Sequence, residues 1–264
     1  MDESLMASSQ KGTENTVIWI LLANGQIDDA LRLAQSDSSR RKDLEHTRLE
    51  EDYEIRIRGL WLLHELGEPL TIEELVPLFN SNDDEAIIGA ALLMSEVNGT
   101  TALIKLIDGI PRIVTHLLKE DHKRAEEIAE IEGWDEHFPE PRDPMTVLWA
   151  IVLALSNHGQ KAIEPIRMRM TDLIKKNGLE EYSLIETINT LKLALHLIGK
   201  EGIRIYKEIE RNTTKETFFY YEECFGPVDL YEFAKKLDQI LTRNPTYARY
   251  PKRSLAKIKL PREE

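Results

Sequence analysis

The chain has 264 residues and 47 acidic against 34 basic side chains, a formal net charge of −13. Hydrophobic residues make up 42% of it, which suits a folded protein with a large core rather than a disordered one. A single cysteine, Cys224, excludes an intrachain disulfide framework and any all-cysteine metal site.

Residues 1–13 are polar and without periodicity and read as a mobile arm. The first apolar run, Val17 to Ala23, is too short to span a bilayer and follows acidic residues, unlike a secretory signal. No later stretch is long and charge-free enough to span either. The expectation is a soluble, cytoplasmic protein without membrane contact.

From residue 14 onward apolar residues recur at three- and four-residue spacing, with no alternating strand followed by a hairpin turn. The reading is all-α. One internal pair aligns without gaps at an offset of 31 residues: Asp52 to Leu66 falls on Asp83 to Val97. Both copies open on an acidic N-cap candidate and place a further acid in the first turn, where the helix dipole favours it. Gly59 and Ala90 coincide as small residues suited to a close approach. Further copies start at Asp143-Pro144 and at Ser183.

Each copy is followed by a turn and a second amphipathic stretch: 71–80, 101–107 and onward, 161–176, and 201–211. Thr71 and Glu74 have capping-box spacing. The wide apolar surface of Ile55, Ile57, Leu60, Trp61, Leu62, Leu63 and Leu66 needs neighbours on both sides, as in stacked hairpins. Residues 109–142, from Gly109-Ile110-Pro111 to a proline-flanked loop, read as an insertion into a repeat domain spanning 14–242. That loop displays Trp134 and Phe138. Phe218-Phe219-Tyr220-Tyr221 forms an aromatic cluster, followed by a helix over 228–241.

Ile55-Arg56, Gly59 and Leu66-Gly67 resemble the first helix of the HEAT-repeat family, over about residues 50–110 and 143–210. The resemblance implies an α-solenoid of stacked antiparallel helical hairpins. Asn24-Gly25-Gln26 through Leu31 also looks like the inter-helix turn of a tetratricopeptide unit.

The C-terminal tail, residues 243–264, reverses the charge. Positions 243–262 carry Arg243, Arg249, Lys252, Arg253, Lys257, Lys259 and Arg262 and no acid. That is +7, so the rest of the chain carries −13 minus 7, or −20. Three prolines and two tyrosines in this tail favour an extended segment.

Catalytic constellations are scarce. His64-Glu65 occurs once, where HEAT-like di-iron hydroxylases hold several such pairs. His116, Glu120, His122 and Glu126 share a helix, but the two pairs point to different faces and lack the zincin pattern. No phosphate loop or nucleophile elbow appears, and Cys224 lies beside Glu222 and Glu223, which oppose a reactive thiolate.

The expectation is therefore a non-catalytic adaptor or scaffold without cofactor or metal, binding a protein that offers a basic segment. Glu73 and Glu74 are the acidic candidates for that contact, Trp134 and Phe138 the aromatic ones. Tyr247, Arg249, Tyr250, Lys252 and Arg253 are the candidates in the tail, which offers two alternatives: self-association, and nucleic-acid binding by charge and stacking. A HEAT-like DNA-repair enzyme is the remaining alternative.

Overall fold

The computed structural model describes residues 16–97, 99–129, 145–176 and 181–212. Every regular element among them is helical, and they divide between two compact units that separate at Val97/Asn98. The arm over residues 1–13, the loop bearing Trp134 and Phe138, Cys224, the aromatic cluster, the helix expected over 228–241 and the basic tail all lie outside the described residues.

The first unit contains α1 (Val17–Ala23), α2 (Ile27–Ser36), α3 (Ser38–His46), a single 3-10 turn (Thr47–Leu49), α4 (Tyr53–Glu65), α5 (Ile72–Phe79) and α6 (Asp84–Met94). Asn24-Gly25 turns the chain between α1 and α2, with Gly25 at φ +68°, a left-handed conformation that favours glycine. The two aligned copies begin as their sequences imply. Asp52 accepts the backbone N–H groups of Glu54 and Ile55, and Asp83 accepts that of Ala86. Each thereby satisfies donors that the first helical turn leaves without partners.

Helix α5 starts on a complete capping box. Thr71 Oγ1 accepts the Glu74 N–H, and Glu74 Oε2 accepts the Thr71 N–H at 2.8 Å. Helix α6 packs against both α4 and α5, and its residues from Ala86 to Met94 are buried on all faces. That explains its composition: a helix with no solvent side has no use for a polar stripe.

The second unit contains α7 (Thr100–Ala129), α8 (Met145–Asn157), α9 (Gln160–Lys176), α10 (Glu181–Ile198) and α11 (Lys200–Arg211). Helix α10 is its centre, packed against α7, α8, α9 and α11. Gly202 makes the α10–α11 approach possible, because a Cβ there would run into the Leu195 carbonyl.

Two features depart from the expectations of the sequence. Residues 109–129, the first part of the stretch read as an insertion, continue the helix begun at Thr100, with Pro111 inside it. Proline takes one backbone donor out of the ladder without ending it here, and Thr115 Oγ1 donates back to the Pro111 carbonyl at 2.7 Å. At Gly59 the close approach is made by a 3-10 turn and not by the neighbouring α-helices. The side chain of Thr47, in the 3-10 turn, occupies the space a Cβ would need.

Candidate interaction surface

The strongest polar feature of the first unit is Arg58, in the middle of α4 among its buried apolar residues. Its side chain is only 10% exposed. Nη1 donates to the Leu22 carbonyl at 2.7 Å, near the C-terminal end of α1, and Nε donates to Glu85 Oε1 at 3.1 Å. A further ion pair joins Arg58 to Glu54, one turn earlier on α4. One buried cation thus meets a helix C-terminus and two carboxylates, each of which stabilises it. It also fixes the start of α6 beside the first turns of α4.

A second bond closes the same edge. Trp19 Nε1 donates to Glu50 Oε2 at 3.1 Å, holding α1 against the segment that leads into α4. That segment reads Leu49-Glu50-Glu51-Asp52-Tyr53-Glu54, with Leu49 82% and Tyr53 43% exposed. On α1, Val17 and Ile20 lie one turn apart and are 44% and 46% exposed. Four of the six large apolar side chains exposed among the described residues therefore belong to the part of the first unit that these two bonds hold together.

The charge is concentrated there too. Residues 16–97 hold 17 acids and 7 bases, a net −10. The described residues of the second unit hold 12 acids and 15 bases, a net +3. Within the first unit the surplus sits at helix starts and connections rather than on helix faces. Glu50, Glu51, Asp52, Glu54, Asp83, Asp84 and Glu85 number seven against Arg58, leaving −6 on this edge. Capping uses a carboxylate's lone pairs and leaves its charge in place.

The two acidic candidates, Glu73 and Glu74, part company on α5. Glu74 faces inward, joined to Arg48 and to its own cap, while Glu73 is exposed. Partial burial pushes the Glu74 carboxyl up, but the Arg48 guanidinium and the Thr71 N–H and hydroxyl outweigh it and hold it below the usual range. Trp134, Phe138, Tyr247, Arg249, Tyr250, Lys252 and Arg253 lie outside the described residues. The second helices do not carry the negative charge as a class: α5 has two acids and no base, whereas α9 has five bases and two acids.

Elsewhere the titratable groups serve packing. His196 Nδ1 donates to the Lys192 carbonyl at 2.9 Å, and its ring lies 5.5 Å from that of Tyr206. Lys192 Nζ stands 4.8 Å over the same Tyr206 ring, joining α10 to α11. Arg167 pairs with Glu164 and Arg169 reaches toward Asp108 at 3.9 Å, so two of the α9 bases are engaged within the unit. Among the described residues no group of three possible metal ligands forms, and no helix is long and apolar enough to cross a membrane.

Aromatic loops and charged tails, the signals that stand out in the sequence, do not point to this edge. The signals that do are a single arginine on the apolar face of a helix, with a glutamate four residues before it, and a run of acids flanked by Leu49 and Tyr53. No protein-family model, curated protein or solved structure matches the chain.

Proposed function

We propose that the protein is a non-catalytic scaffold of HEAT-like helical hairpins that binds a partner carrying a basic, partly apolar segment, and that the Arg58-organised edge of the first unit receives it. The observation that supports this is the coincidence of −6 of formal charge with the exposed Leu49, Tyr53, Val17 and Ile20. Opposite charge steers the encounter, and exposed apolar side chains supply the area whose burial makes a contact last. Arg58 and the Trp19–Glu50 bond hold the edge in one arrangement before any partner arrives, which limits the ordering entropy of association.

The test is affinity capture from nuclease-treated native lysate by the full chain and by the Leu49→Ser/Tyr53→Ser chain. Both positions are exposed, so the substitutions leave the core untouched. The reading requires one defined protein that the variant fails to retain. Equal recovery by both chains removes this edge from the account, and recovery of nucleic acid alone from untreated lysate removes the scaffold.

A further inference from the structure

We infer that this edge is the docking site of the chain's own basic tail, residues 243–262, bound in the same molecule. The inference rests on the edge being a docking site for basic segments and names the occupant that competes for it.

Two observations converge. The edge combines −6 of formal charge with four large exposed apolar side chains. The tail offers the complement in both respects: seven cations and no acid, with Tyr247, Tyr250, Leu255, Ile258 and Leu260 interspersed among them.

Tethering decides between this occupant and the alternatives. A covalently attached segment meets its site at a concentration set by its tether and not by the sample, so its docking persists on dilution where that of a free peptide of equal affinity does not. A second copy of the chain reaches that concentration only in a crowded sample. A nucleic acid that takes the tail must draw it away from carboxylates toward phosphates, close to an edge that repels phosphate. A foreign basic partner then binds by displacing the tail, which makes occupancy of the edge a matter of competition.

The experiment uses the full chain with Cys224→Ser and a nitroxide attached through Ala256→Cys, recorded as an isotope-labelled amide spectrum. Docking broadens the amides of residues 17–20 and 49–54. High salt, and the added Leu49→Ser and Tyr53→Ser changes, restore them. Broadening confined to other residues, or absent, overturns the inference. So does equal broadening of the same amides when spin-labelled chains without isotope are mixed with isotope-labelled chains without the nitroxide, because the occupant is then a second copy. Hydrogen exchange on the chain with native Cys224 checks the result without a label. Replacing the seven tail cations by glutamine must raise exchange at residues 49–54 severalfold, and unchanged exchange refutes docking. A foreign partner captured through Leu49 while the label leaves 49–54 sharp refutes the tail and leaves the scaffold standing.

Discussion

Arg58 shows how one side chain sets the geometry of an edge. Its cation is nearly buried, and the Leu22 carbonyl, Glu54 and Glu85 together replace the water it has lost. Replacing it with methionine keeps the volume and strands those acceptors, and should cost about 3 kcal/mol in urea unfolding. Two glycines give a contrasting test, since alanine in a helix interior ordinarily gains about 1 kcal/mol. Gly59→Ala meets the Thr47 side chain, whose Cβ, 2.7 Å away, moves only if the short 3-10 turn shifts, whereas Gly202→Ala meets the Leu195 backbone carbonyl within α10, the helix at the centre of its unit. Gly202→Ala should therefore be the more destabilising, by about 2 kcal/mol or more. His196 adds a pH dependence. Burial pushes its imidazole down, against the pull of the Lys192 carbonyl, so the unfolded chain takes up the proton first. Stability should decline as pH falls below about 6.5, and His196→Gln should remove that slope from a pH series of melting curves.

At the scale of elements, local rules account for most of what the sequence makes legible. Asp52, Asp83 and Thr71 stand at the helix starts their types imply, because capping depends only on neighbouring residues. Thr71→Ala should cost about 1 kcal/mol of stability, measured by denaturant titration. Pro111 lies inside a helix for the complementary reason. Proline ends a helix when nothing else holds the backbone, but Ile107, Ile110, Ile113 and Val114 are buried on both sides of it, and their packing carries α7 through. The edge itself is harder to read. Its residues come from three separated stretches, Val17–Ile20, Leu49–Glu54 and Asp83–Glu85, which Arg58 and Trp19 bond to one another across helices. Spacing within one helix cannot announce a contact between helices.

At the scale of the whole molecule, charge is divided unevenly, −10 over residues 16–97 against +3 over the described residues of the second unit. Counting along the sequence locates the surplus only as a total of −20 outside positions 243–262. The helix boundaries place much of it at the starts of α4 and α6. Acid should test this balance from another side. Glu74 is held below the ordinary glutamate range despite its partial burial, by Arg48 and Thr71. Its contribution is therefore complete above about pH 4.3 and is lost as pH falls through the depressed value. Glu74→Gln should be less stable than the native chain at neutral pH, with the gap closing below about pH 4 in acid titrations followed by circular dichroism.

The most direct test of the central claim is photo-crosslinking from position 49 in native, nuclease-treated lysate, with a benzophenone amino acid in place of Leu49. The account predicts one defined foreign protein joined at a basic segment, in competition with the chain's own residues 243–262. A position 49 that joins no protein at all, or joins nucleic acid when nuclease is omitted, would contradict it.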